Sequence, residues 1–154
     1  MKFGSHVPVL VKLLSITSGD VLEMGMGFYS TPVLHWMCQA QDRLLVSYEN
    51  NPKYYTDINT PNHHTYLIDD WDKALIEKPW DIALIDHAPA SRRKIDIVRL
   101  AYCAKYIVIH DTHWNQEKHY HYRDIWKHFQ YRWDYNVHCQ TTVVSNFAEV
   151  EDLV

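Results

Sequence analysis

Five acidic residues, Glu23, Glu49, Asp69, Asp86 and Asp111, each close a short apolar run in this chain of 154 residues. Between the first two lie Gly25 and Gly27, two of the chain's 4 glycines. Backbone without Cβ atoms lets a ligand approach closely, and the N–H groups of a helix starting just beyond can point at it. Tyr29 and Ser30 stand near the place of the third glycine in a dinucleotide fingerprint. Glu49 follows at close to the roughly 20-residue spacing at which an acid meets ribose hydroxyls. A carboxylate there accepts two hydrogen bonds from a vicinal diol. Glu23, beside the turn, would repel a pyrophosphate and attract a cation or an amino group. A nucleoside carrying a positively charged amino-acid tail satisfies both demands. Asp69 is preferred over Asp70 as the ligand contact, although either acid can cap the helix that follows. His87, next to Asp86, can act as a general base because imidazole titrates near neutral pH. Its structural alternative is a hydrogen-bonded surface residue.

These groups need a scaffold that brings strand ends together. Val21-Leu22, Arg43–Tyr48, Thr65–Ile68, Ile82–Ile85 and Tyr106–Ile109 read as buried strands. Helical patterns separate them: His6–Thr17, Ser30 onward with Thr31 as cap and Pro32 in its first turn, Asn51–Tyr55, Trp71–Glu77 and Ser91–Ala104. Trp114–Tyr131 predicts a long helix with a stripe of Tyr122, Ile125, Trp126 and Phe129. Trp133–His138 and Thr141–Ser145, joined by a tight link, predict an antiparallel hairpin. Continuous apolar strands alternating with helices mean a doubly wound, Rossmann-like α/β sheet, mostly parallel, with helices on both faces. Residues 1–154 form one domain. In such sheets ligands bind beyond the carboxyl ends of the strands, so the five acids line one edge.

A net charge of −4 and a pI near 6.2 exclude a general nucleic-acid binder, which needs a basic face. The 3 cysteines are widely spaced and odd in number, as in a reduced, cytoplasmic protein. No stretch approaches a membrane span, and Met1–His6 has no signal-peptide pattern. The 11 histidines show no paired spacing of a zinc motif. The aromatic stripe at 114–131 serves either the core or a subunit interface, which would make a homo-oligomer.

The run Val21-Leu22-Glu23-Met24-Gly25-Met26-Gly27, with Ser47-Tyr48-Glu49 and Ile68-Asp69-Asp70, resembles class I S-adenosylmethionine-dependent methyltransferases over most of the chain. Within them, Ile85–Arg92 with Ile109–Thr112 is similar to the catechol and macrocin O-methyltransferase-like branch. The resemblance implies that Glu23, Gly25 and Gly27 hold the methionine portion, with Tyr29 and Ser30 alongside, Glu49 the ribose and Asp69 the adenine edge. It also implies Mg²⁺ at Asp86 and Asp111, holding a substrate diol and lowering its pKa, with Thr112 where a further ligand often sits. The expected activity is methyl transfer to a hydroxyl of a small molecule or sugar, with Asp86 and His87 at the reacting centre. The chain is shorter than most of that branch, which motivates an alternative: a nucleoside-binding or scaffolding subunit without catalysis. A dehydrogenase using NAD fits less well, because the third glycine is missing and Glu23 would face the pyrophosphate.

Overall fold

Side chains alternate across each strand, and both faces of the sheet are covered. The computed structural model describes residues 4–154; residues 1–3, which the signal-peptide reading includes, lie outside the described residues. At the centre, β1 (Val21–Met24) pairs in parallel with β2 (Leu45–Glu49) on one side and β5 (Trp80–Ile85) on the other. β4 (His63–Leu67) extends the sheet beyond β2, and β6 (Ala104–Ile109) extends it beyond β5, both in parallel. The margins are antiparallel: the two-residue β3 (Asn59–Thr60) on β4, and β8 (Thr141–Ser145) on β6. β7 (Tyr131–Tyr135) pairs antiparallel with β8 and forms the outer edge, giving the order β3-β4-β2-β1-β5-β6-β8-β7. The expected parallel core with a terminal hairpin is therefore present.

Val21, Leu45, Ile82, Leu84 and Val108 pack on α1 (His6–Ile16) and α2 (Ser30–Ala40), through Leu10, Leu13, Leu34 and Cys38. Leu22, Val46, Ala83, Ile85 and Ile107 pack on the other side, where α3 (Ala90–Leu100) contributes Ile97 and Leu100. After β1 the chain moves to β2 and β4, and after that it returns to β5 and β6 on the opposite side. The switch point thus falls between β1 and β5.

Three expected helices are corrected. Asn51–Tyr55 is a turn. Trp71–Lys73 makes a single 3-10 turn, capped by Asp70, whose side chain accepts from the Asp72 N–H at 3.0 Å. The segment 114–131 breaks into three 3-10 turns and one α-helical turn, α4 (Glu117–Tyr120). His121, at φ 54°, takes the left-handed conformation that ends α4. The segment is rich in His, Tyr and Trp, which are weak helix formers, and tertiary packing decides its path. Tyr122 and Ile125 drop into the core, with Trp126 and Phe129 packed against it. The stripe expected of a long helix is thus core, and Trp114 is the large hydrophobic ring in this segment that remains widely exposed, at 76%. No described helix is long and apolar enough to cross a membrane.

Candidate functional site at the carboxyl edge of the sheet

The turn after β1 works by tight packing. Gly25 has φ +92°, and a Cβ there would lie 2.6 Å from the Asp86 carbonyl carbon and the His87 nitrogen. Its bare backbone therefore accommodates the end of β5. Gly27 is different: a Cβ would meet only Ser30 Oγ, at 3.4 Å. Gly27 borders a cavity of about 490 Å³ at the ends of β1, β2, β5 and β6, along with Tyr29, Ser30, Glu49, Asp86, His87 and Asp111. A neighbouring recess of about 260 Å³ shares Gly27, Phe28 and Tyr54 with it. The rings of Phe28 and Tyr54 meet edge to face, 6.2 Å between centroids.

Glu49 is buried, yet it borders this cavity. Its Oε2 accepts from the Met26 N–H at 2.7 Å, and Oε1 accepts from the N–H groups of Asn50 at 2.9 Å and Asn51 at 2.7 Å. Three backbone donors thus hold one carboxylate against the glycine turn, and a carboxylate has room for a fourth.

Glu23 is placed otherwise than expected. It is fully buried under the start of α2, where its carboxylate accepts from the hydroxyls of Ser30 at 2.7 Å, Thr31 at 2.9 Å and Ser47 at 2.6 Å. Burial raises its pKa to about 7, outweighing the three hydroxyl donors that pull it down. Glu23 therefore anchors α2 from below and does not border the cavity. Thr31 lies inside α2 and does not cap it; its hydroxyl accepts from the Gly27 N–H at 2.9 Å while donating to Glu23. Ser30 borders the cavity with its hydroxyl turned to Glu23. Asp69 is also away from the cavity: it is exposed and paired with Lys73 at 2.6 Å.

At the end of β5, Asp86 and His87 face different surroundings. Asp86 Oδ1 accepts from Arg93 Nη2 at 3.0 Å and lies 3.2 Å from His110 Nδ1. Burial acts to raise its pKa, but His110 and Arg93 prevail and hold it below the usual carboxylate range. His87 contributes to the wall, but its ring is sealed inside. Nε2 is 2.9 Å from Asp96 Oδ2, and the ring packs on Trp71 with 4.2 Å between centroids. Burial lowers its pKa against the pull of Asp96. A base at this position has no exposed path to an acceptor, since the side chain has 0% exposure. The sequence reading missed Asp96, which ties His87, Arg92 and Arg99 together. It also missed His6, which is buried on the cavity wall beside His110. Burial, then the nearby His110, lowers the His6 pKa to about 4.

Asp111, at φ 60°, borders both this cavity and another of about 470 Å³ lined by Trp114, Val137, Cys139 and Gln140. The residues fit Mg²⁺ poorly. That ion demands octahedral oxygen ligands. Next to Asp86 and Asp111, the Thr112 hydroxyl is committed to the Gln140 carbonyl and to Thr142, and the groups nearest Asp86 are nitrogens.

No protein-family model and no curated protein matches the chain. Among solved structures it is similar to a provisionally named caffeoyl-CoA O-methyltransferase from Staphylococcus aureus, with TM-score 0.63 and 13% identity over 90% of this chain and 81% of that one. Human methyltransferase-like protein 13, solved with S-adenosylhomocysteine, gives TM-score 0.60 and 10% identity over 94% and 79%. An S-adenosylmethionine-dependent O-methyltransferase from Thermotoga maritima gives 0.56 and 12% over 94% and 66%. At these identities the likeness is one of fold: the chain has the Rossmann-like fold of S-adenosylmethionine-dependent methyltransferases.

Proposed function

We propose that the chain binds S-adenosylmethionine along the glycine turn and passes its methyl group to a hydroxyl of a small molecule or sugar. One observation carries this reading: Gly27 and the Glu49 carboxylate face the same cavity of about 490 Å³, at the switch point of a methyltransferase-like sheet. The Glu49 carboxylate, already fixed by three N–H donors, takes a ribose hydroxyl as its fourth partner. Gly27, Tyr29 and Ser30 flank the methionine end, and Phe28 and Tyr54 offer aromatic faces to the base.

Methyl transfer is an in-line displacement at carbon, so the protein acts mainly by positioning donor and acceptor. The acceptor reaches the donor from the cavity on the far side of Asp111. Asp86, held ionised, accepts a hydrogen bond from the acceptor hydroxyl and aims its oxygen. A carboxylate of lowered basicity is a weak proton acceptor, so the proton leaves to solvent.

Calorimetric titration with S-adenosylhomocysteine tests the donor assignment. We expect one saturable site, weakened at least about tenfold in Glu49→Gln, a loss of roughly 1.4 kcal/mol. Absence of binding to the wild-type chain, or equal affinity in a folded Glu49→Gln variant, removes the assignment. The sealed ring of His87 favours a second reading, donor binding without transfer. Radiolabelled methyl transfer across a panel of hydroxyl acceptors separates the two.

A further inference from the structure

Three side chains from distant parts of the sequence meet on the cavity wall. His6 opens α1, Asp86 follows β5 and His110 follows β6, and one ligand atom from each lies within 4.8 Å of the others. His6 and His110 are 2% and 3% exposed, and their rings meet edge to face with centroids 4.4 Å apart. Ser5 fixes His6 in place: its hydroxyl donates to the Cys139 carbonyl and pairs with the Thr141 hydroxyl at 3.0 Å.

The two rings are poorly satisfied. Nδ1 and Nε2 of His6 and Nε2 of His110 are buried without a hydrogen-bond partner among the described residues. A buried, unpartnered polar atom costs about 1–3 kcal/mol. Two such rings beside a carboxylate, on the wall of an open cavity, each leave a nitrogen free to take a ligand.

We propose that His6, Asp86 and His110 bind a divalent transition-metal ion. An ion satisfies the lone pairs of both rings and the carboxylate charge at once. Two imidazoles and one carboxylate suit Zn²⁺, Co²⁺, Ni²⁺ or Fe²⁺, whereas Mg²⁺ requires oxygen. Arg93 opposes a cation here, but its Nη2 bonds Oδ1 of Asp86, and no described residue bonds Oδ2. Asp111 adds a further negative charge, with Oδ2 3.7 Å from His110 Nδ1. The ligands come from α1, β5 and β6, so no local spacing in the sequence announces them. The proposal stands independently of donor binding.

Chelator-treated protein, free of nucleoside, is titrated with Zn²⁺, Co²⁺ and Mg²⁺ by calorimetry. We expect one equivalent of Zn²⁺ or Co²⁺ to bind at least a hundredfold more tightly than Mg²⁺. His6→Ala and His110→Ala should each weaken binding at least tenfold, while His119→Ala, at an exposed histidine, leaves it unchanged. Melting curves confirm that the variants fold. Should either fail to fold, the visible spectrum of Co²⁺ on the wild-type chain decides: four- or five-coordinate ligation by two imidazoles, a carboxylate and water intensifies absorption well above that of the six-coordinate aqueous ion. The proposal is overturned by no Zn²⁺ or Co²⁺ binding, by equal Mg²⁺ affinity, by binding that survives both substitutions, or by an aqueous-like Co²⁺ spectrum. S-adenosylhomocysteine titrated separately, without metal, shows whether the donor reading stands or falls on its own.

Discussion

Replacing Gly25 by alanine would drive a methyl group to 2.6 Å from the backbone of Asp86 and His87, at a residue with φ +92°. Neither strand end can yield without disturbing the sheet, so we expect a loss on the order of 3 kcal/mol in urea unfolding. Gly27→Ala should behave differently. It meets only the Ser30 hydroxyl at an ordinary distance, and stability should hold within about 0.5 kcal/mol while S-adenosylhomocysteine binding weakens. Glu23 gives a pH signature. Its folded pKa, near 7, lies above the ordinary value of 4.5. The unfolded chain therefore loses its proton first as pH rises, and the folded state is progressively disfavoured between about pH 4.5 and 7. Glu23→Gln removes that slope. Unfolding measured at pH 4.5 and 8 should show the variant gaining up to roughly 3 kcal/mol on the wild type across the interval, at 1.36 kcal/mol per pKa unit. Glu23, Gly25 and Gly27 stand in one motif, and the sequence shows the motif plainly. It does not show which acid is sealed. Glu23 and Ser47 share a face of the sheet under α2, and that follows only from the register between β1 and β2.

At the scale of elements, α3 is the brace of the site. Arg93 reaches forward to Asp86, to the His87 carbonyl at 2.6 Å and to the His110 carbonyl at 3.1 Å. Three residues on, Asp96 is fully buried and holds His87, Arg92 and Arg99. Burial alone would raise its pKa, but those donors bring it to about 2. Its contribution is present above about pH 4 and fades as pH falls towards 2. Asp96→Asn leaves two arginines short of their counter-charge, and we expect about 3–5 kcal/mol lost in urea unfolding at neutral pH. Strands and the three long helices were legible because apolar runs and 3.6-residue periodicity reflect burial directly. The segments at 71–77 and 114–131 were not. Their aromatic and apolar residues fall at helix-like spacing, yet Trp71, Ile76, Tyr122 and Ile125 reach the core without forming the face of a long helix, while Leu75 and Trp114 stay exposed. His121 in the left-handed region carries no signal that distinguishes it from its neighbours.

Across the whole molecule, three of the five strand-end acids, Glu49, Asp86 and Asp111, border one cavity at the rim of the sheet, and so do four of the seven predicted cofactor contacts: Gly27, Tyr29, Ser30 and Glu49. Asp69 does not, because β4 ends farther out and Lys73 takes its charge. The cluster of His6, Asp86 and His110 lay beyond sequence reading, since only the closed fold brings α1 over the ends of β5 and β6. The same topology sets the order of assembly. Residues 131–135 are laid down before 141–145, yet β8 sits between β7 and the rest of the sheet. A chain emerging from the ribosome therefore carries a strand with nowhere to dock until its inner neighbour arrives. Meanwhile β6 presents a bare hydrogen-bonding margin, an interval in which chaperone capture and misassociation compete with completion.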